Sequence, residues 1–189
     1  MVPANIVWLV ALTLFCGLML WAAASDFRRY LIPNQVSLGA LALFPVYVMS
    51  APAPVQWQWA LAIAAGLFVV AFGMYLVGAL GAGDAKLLPV VVLWAGPKNL
   101  VLFILVLAAS SVVLAGIVGL RAAVAQMKSN AVVEEARGGP AAELSGPRWR
   151  RAVSGLGYFQ FLKVKLPYGV AIAAGGIVVA VNTMFTTLR

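Results

Sequence analysis

Long stretches without charged residues alternate with short polar segments along the chain. A helix needs about 20 apolar residues to cross the hydrocarbon core of a bilayer, so such stretches predict membrane helices. Six helices are predicted, over residues 6–24, 36–55, 57–80, 87–97, 100–120 and 166–188. The fourth is shorter than a full crossing and is included because the topology requires a crossing there. The pattern therefore predicts an all-α bundle of six transmembrane helices with a short fourth helix.

One segment departs from this pattern. Residues 121–165 carry most of the charged side chains, and Gly138-Gly139-Pro140 and Gly146-Pro147 break helices there. We predict a basic cytoplasmic loop between helices five and six, in which residues 122–136 could extend helix five. Residues 148–165 mix basic and aromatic side chains, which suits either contact with an anionic inner leaflet or a solvated loop. Residues 1–189 are predicted to form one transmembrane domain.

The composition excludes a soluble fold. Hydrophobic residues make up 64% of the 189 residues, charged residues only 10%, and the mean hydropathy is +1.02. In soluble domains roughly a quarter of the residues are charged, and a soluble chain of this size could not bury so much apolar surface. The solvent of most of the chain is therefore predicted to be lipid.

The basic residues predict an orientation in the membrane, because cytoplasmic loops are enriched in lysine and arginine. If the N-terminus lies outside, eleven of the 13 basic residues fall on the inner side, and only Lys98 and Arg189 lie outside. Inner loops beside an anionic leaflet thus account for the net charge of +8. The charge does not indicate nucleic-acid binding, and the sequence leaves the oligomeric state open.

The absence of histidine and the single Cys16 exclude several kinds of site. Ser-His and Cys-His nucleophile pairs, histidine-ligated metals, internal disulfides and cysteine zinc clusters all need residues that the chain lacks. No metal site is therefore predicted. The groups that remain available for catalysis are five carboxylates, the lysines and the hydroxyl groups.

Two of the five acids stand next to predicted membrane helices. Glu134, Glu135 and Glu143 belong to the charged loop, whereas Asp26 follows helix one and Asp84 precedes helix four. A carboxylate beside a membrane helix is costly to ionise and marks a candidate functional site. Taken alone, Asp26 could equally be a boundary residue that ends its helix.

The surroundings of Asp84 indicate a position inside the membrane. It lies in the segment Gly81-Ala82-Gly83-Asp84-Ala85-Lys86, where a glycine turn could also be simple punctuation. A helix from Asp84 to Lys98 spans about 21 Å, at about 1.5 Å per residue. Across a core about 30 Å thick, this leaves Asp84 about 9 Å below the inner boundary if Lys98 lies at the outer one. Backbone irregularity at that depth requires surrounding protein or a water-filled cavity.

The topology places both aspartates on the cytoplasmic side, since Asp26 follows one crossing and Asp84 follows three. Two carboxyl groups that share one proton can hydrolyse a peptide bond. The ionised group takes a proton from water while the protonated group polarises the carbonyl. The negative end of helix one and the positive end of helix four predict that Asp26 holds the shared proton.

These residues resemble the motifs of the type IV prepilin peptidases, a family of bacterial intramembrane aspartic proteases. Residues 81–86 match the G-x-G-D-x-K motif. Asp26 and Ile32-Pro33-Asn34 match an aspartate at the end of helix one followed by I-P-N. Residues 166–176 resemble the start of the last helix in the short, Flp-pilus (Tad-type) branch.

The resemblance implies that Asp26 and Asp84 are catalytic. It implies that the substrate is a prepilin or pseudopilin of the bacterial inner membrane, cut after a glycine at the cytoplasmic boundary to release a basic leader. Longer members carry an N-terminal cytoplasmic domain, often with a cysteine tetrad, and N-methylate the new pilin terminus. Helix one starts almost at once here, so we expect peptidase activity alone, without zinc, S-adenosylmethionine or another cofactor.

Five further residues are candidates for shaping the site or binding substrate. Gly81 and Gly83 are expected to let the substrate backbone approach. Lys86 either contacts the substrate or an aspartate, or is a boundary lysine. Asn34 either bonds near the site or caps helix two, and Pro33 suits the first turn of helix two.

Two other readings are kept as alternatives. A small transporter could use the two aspartates to relay protons or bind a cation, although further intramembrane acids and an inverted repeat would be expected. A non-catalytic assembly factor could retain the same motifs.

Overall fold

The computed structural model describes residues 4–137 and 168–188, and all regular secondary structure in this part is helical. The five helices are α1 (Ala4–Arg29), α2 (Asn34–Ser50), α3 (Trp57–Leu76), α4 (Ala82–Arg137) and α5 (Tyr168–Leu188). Four of them, α1, α3, α4 and α5, are long and apolar enough to cross a membrane, and α2 is shorter and apolar. The prediction of an all-α membrane protein is confirmed.

The predicted count of six helices is not established by the described residues, because predicted helices four and five both fall within α4, which consists of two helical stretches that meet at a kink. Inside α4 only Gly96 has non-helical backbone angles, with φ 58° and ψ −177°. Glycine adopts positive φ at little cost, and Pro97 has no N–H for a helical hydrogen bond. The chain therefore kinks at one residue where the prediction expected a connecting segment.

Several predicted boundaries are also corrected. α1 continues to Arg29, five residues beyond its predicted end. α2 begins at Asn34 and ends at Ser50 instead of spanning 36–55, because Ala51 precedes Pro52 and takes an extended conformation with φ −63° and ψ 132°. α4 runs on to Arg137, so the residues 122–136 that could extend helix five are helical. The remainder of the predicted loop lies outside the described residues.

The described residues fall into two compact units. The first comprises residues 4–111 and 168–188, and the second comprises residues 112–137. The second is a length of helix that exposes Val112, Val113, Ile117 and Leu120. The single-domain organisation stays a prediction, and the first unit contains the residues of interest below.

Aromatic rings form the centre of the first unit. The Trp94 ring stacks on Phe15 with 4.1 Å between the ring centroids, and Tyr47 and Phe44 lie 5.0 and 5.9 Å from it. The Trp94 indole N–H donates to the Ala40 carbonyl at 3.0 Å. Because lipid is as apolar as these side chains, the rings stabilise the bundle by close packing and this hydrogen bond.

Small residues allow α5 to approach its neighbours closely. A Cβ atom on Gly175 would lie 2.8 Å from the Phe103 ring, and one on Gly176 would lie 3.1 Å from Val91. α5 also packs against α1. Glycines at such contacts are typical of helix packing in membranes. They hold α5 firmly against the bundle, which matters for the position of its first turn.

Candidate active site

Asp26 lies buried in the last turns of α1, with 6% of its surface exposed. The helix ends because Tyr30 takes a left-handed conformation, with φ 51°, and donates its N–H to the Asp26 carbonyl at 2.9 Å. The Ser25 hydroxyl then donates to the Leu31 carbonyl at 2.7 Å. These two bonds fold the connection to α2 back over the end of α1.

Asp84 lies in the first turn of α4 and is half-buried. The Ala85 N–H donates to the Gly81 carbonyl at 2.9 Å, which starts the helix. A Cβ atom on Gly81 would lie 3.1 Å from Oδ2 of Asp84. A carboxylate in a first turn is stabilised by the free N–H groups there. The glycine at position 81 therefore leaves room for the carboxyl group at the start of the helix.

The Ile32 side chain lies between the surroundings of Asp26 and those of Asp84. A Cβ atom on Gly83 would lie 3.1 Å from the Cβ of Ile32, and one on Gly169 would lie 2.7 Å from its Cδ1. The same position on Gly169 is 2.8 Å from Oδ2 of Asp26. Ile32 thus lies against the first turn of α4 and the first turn of α5.

The structure places the two aspartates in one region of the bundle, because Ile32 packs against Gly83, the neighbour of Asp84, and against Gly169, which adjoins Asp26. Their side chains come from helices far apart in the sequence and lie in one buried region with Ile32 between their supporting glycines. Two carboxyl groups that approach each other repel when both are ionised, which favours sharing one proton. The arrangement is chemically able to act as an acid and base pair; the catalytic role of each residue stays a prediction.

The other predicted site residues lie beside this pair, with altered roles. Asn34 does not cap α2: Pro33 occupies the N-cap position, and Asn34 is the first helical residue. Its side chain instead accepts a hydrogen bond from Lys86 Nζ at 3.1 Å, which ties the start of α2 to the start of α4. The Ile32 side chain occupies the space beside Gly83, where the substrate backbone was expected to approach.

We expect the Lys86–Asn34 bond to contribute to the alignment of the two helix starts. Lys86→Met and Asn34→Leu should each lower the free energy of unfolding by about 1 kcal/mol, the usual net value of such a bond. The double variant should lose no more than the larger single loss, because both changes remove the same bond. Equilibrium unfolding of all four proteins in mixed micelles measures this. Strictly additive losses would show that the two side chains act independently.

An apolar groove of about 480 Å³ begins at this hydrogen bond. Its lining includes Leu41 of α2, Phe68 of α3 and Val90 of α4, with Lys86 and Asn34 at one end. The polar residues near the aspartates therefore border directly on apolar surface. Within the described ranges, no three His, Cys, Asp or Glu side chains form a set of metal ligands.

Sequence reasoning missed the contribution of α5. The first turn of α5 lies against the Asp26 carboxyl group, since a Cβ atom on Gly169 would be 2.8 Å from Oδ2 of Asp26. The prediction that Asp26 holds the shared proton considered the ends of helices one and four but not the positive end of α5, which also lies at Asp26. Gly169 lies within the last-helix motif, which was the signal that could have indicated this contact.

A family model described as the type IV leader peptidase family matches residues 13–120, more than half of the chain. The matched region contains both aspartates and the segments that support them, apart from the start of α5. No curated protein and no solved structure matches the chain. The chain belongs to the type IV leader peptidase family, and it is therefore an aspartic-type peptidase and an integral membrane protein.

Proposed function

From this membership, we propose that the protein is a prepilin leader peptidase that uses Asp26 and Asp84 as its catalytic pair. The observation that carries the proposal is that these two acids, one 6% exposed and the other half-buried, lie on either side of Ile32 in a membrane helical bundle. Family membership favours this reading over a transporter that relays protons.

The proposed reaction needs only the pair, a water molecule and the substrate. The ionised aspartate takes a proton from water as the oxygen attacks the scissile carbonyl, and the protonated aspartate gives its proton to the carbonyl oxygen. As the tetrahedral intermediate collapses and the C–N bond breaks, the departing nitrogen takes up the proton from the aspartate that received one. One hydroxyl group of the intermediate returns a proton to the other aspartate, which restores the pair. The products are a leader with a new carboxyl terminus and a pilin with a new amino terminus.

We further propose Flp-type prepilins or pseudopilins as substrates, cut after a glycine at the cytoplasmic boundary. The last helix, which begins within residues resembling the Flp-type branch, supports this choice. Purified protein should release the leader from a Flp-type prepilin and leave the new pilin terminus unmethylated when S-adenosylmethionine is present. Mass spectrometry of both products measures this. Cleavage of only a long type IVa prepilin, or methyl transfer, would contradict the assignment.

The proposed orientation places the N-terminus outside and the aspartates toward the cytoplasm of a bacterial inner membrane. Its support is the distribution of basic residues, in which Lys98 is among the few outside. Lys98 and Arg29 are both exposed, so each can be tested as a single cysteine in a Cys16→Ala background. In spheroplasts, an impermeant maleimide should label Lys98→Cys directly and Arg29→Cys only after permeabilisation. The reverse labelling order would invert the proposed topology.

A further inference from the structure

We infer that Gly169 is a positioning residue for Asp26, so that the first turn of α5 completes the active site. The inference deepens the proposed function and rests on Asp26 being one of the catalytic pair. Residue 169 lies outside the span that the family model matches. It acts through Asp26 and contacts neither water nor substrate in the proposed reaction.

The first support is steric. A Cβ atom at position 169 would lie 2.8 Å from Oδ2 of Asp26 and 2.9 Å from its Cγ. Real Cβ atoms do not approach other heavy atoms so closely, so any side chain would force the carboxyl group or α5 to move. Gly169 is buried and helical, and its φ is not in the left-handed region. Glycine is therefore needed here for space and not for an unusual backbone angle.

The second support is polar. α5 begins at Tyr168, so the N–H groups of Gly169 and Val170 belong to the first turn and have no partner within their own helix. This turn lies against the Asp26 carboxyl group. Oδ2 of Asp26 is itself buried without a hydrogen-bond partner among residues 4–137 and 168–188. Because no hydrogen bond holds Oδ2, the orientation of the carboxyl group depends on the atoms packed against it, and Gly169 is among them.

The third support is the connection to the other aspartate. Ile32 fills the space beside Gly169 and also the space beside Gly83, one residue before Asp84. Close-packed atoms transmit displacements, so moving the first turn of α5 would disturb both carboxyl groups through Ile32. Gly169 thus sets the position of Asp26 and, through Ile32, helps to set the separation of the pair.

The test compares two alanine substitutions on the same helix. Gly169→Ala and Gly175→Ala both place a Cβ within 2.8 Å of a neighbouring side chain, Asp26 in the first case and Phe103 in the second. We expect Gly169→Ala to lower kcat for prepilin cleavage by about 100-fold, the loss typical of a misplaced catalytic group, with KM nearly unchanged. Gly175→Ala should lower Tm but keep kcat near the wild-type value. The inference would be overturned if Gly169→Ala kept the wild-type kcat. It would also be overturned if kcat fell in both variants in proportion to their loss of Tm.

A second variant separates the contact with Asp26 from the contact with Ile32. Ile32→Val removes Cδ1, the atom 2.7 Å from the added Cβ, and leaves the contact with Asp26 in place. In the Gly169→Ala/Ile32→Val protein, Tm should recover to that of Ile32→Val while kcat stays at least about tenfold reduced. If Gly169→Ala alone does not fold, kcat can be measured in this double variant instead. Recovery of both Tm and kcat would show a purely structural role.

A spectroscopic measurement keeps the inference testable if the wild-type protein cleaves no prepilin, a result that would count against the proposed function alone. The chain contains two aspartates, so ¹³C-aspartate labelling in an Asp84→Asn background reports on Asp26 only. Gly169→Ala should shift the labelled carboxyl band in the infrared spectrum, and Gly175→Ala should leave it in place. An unchanged band in Gly169→Ala would contradict the positioning role.

Discussion

Asp26→Asn and Asp84→Asn are each expected to lower kcat for prepilin cleavage by about 10²–10⁴-fold, the range associated with a positioned acid or base. The amide has the size and shape of the carboxyl group but can neither take a proton from water nor give one to a carbonyl. Asp26 is buried at the end of α1 and Asp84 lies in the first turn of α4. Discontinuous assays of leader release, followed by gel shift, measure the effect.

A matched control separates loss of chemistry from loss of charge. Glu134→Gln makes the same change at one of the acids of the charged segment and should leave kcat at the wild-type value. The fold should survive both aspartate changes, because the isosteric amide removes a buried charge without changing volume. Unfolded variants, or equal losses in the glutamate control, would count against a specific catalytic role.

Trp94→Ala should produce the largest loss of stability, about 3–5 kcal/mol in the free energy of unfolding. The Trp94 side chain is 4% exposed, stacks on Phe15, and donates its indole N–H to Ala40. Truncation leaves a cavity between three helices and an unpaired carbonyl, in a solvent that offers no compensating hydrophobic gain. Trp94→Phe should cost less because it keeps the stacked ring.

The control is an exposed tryptophan of the same molecule. Trp59 is 66% exposed, so Trp59→Ala removes the same number of atoms without opening a cavity in the bundle. Equilibrium unfolding in mixed micelles should rank the variants as Trp94→Ala, then Trp94→Phe, then Trp59→Ala in order of decreasing loss. Equal losses for the two alanine variants would show that the aromatic cluster does not stabilise the bundle.

The length of the apolar runs predicted most of the helices. The prediction was less accurate where the backbone conformation of single residues determines the path of the chain. The start of the third helix at Trp57 and the last helix ending at Leu188 agree with the predicted positions. The run-length argument counted Gly96 and Pro97 as the end of one helix and the approach to another. It could not show that one left-handed glycine bends the chain without a loop, because backbone angles are set by local sterics and not by hydropathy.

The sequence predicted the charged residues of the candidate site but not the residues that act through packing. Charge scarcity singled out Asp26 and Asp84, since each carboxylate stands beside a membrane helix. Gly169 and Ile32 carry no polar side chain, so nothing in their chemistry marked them. Their importance comes from close packing at the helix ends: a Cβ atom on Gly169 would lie 2.7 Å from Ile32 and 2.8 Å from Asp26. Asn34 was expected either to bond near the site or to cap its own helix, and the sequence could not show that its partner is Lys86, 52 residues away.

The central claim is that Asp26 and Asp84 act as one device, and a double-mutant cycle tests it most directly. Prepilin cleavage rates are measured for wild type, Asp26→Asn, Asp84→Asn and the double variant under single-turnover conditions. Residues that act as a unit are strongly non-additive, because losing either one already stops the joint reaction. We predict that the double variant cleaves no more slowly than the slower single variant. Losses that multiply in the double variant, or wild-type cleavage by either single variant, would contradict the account.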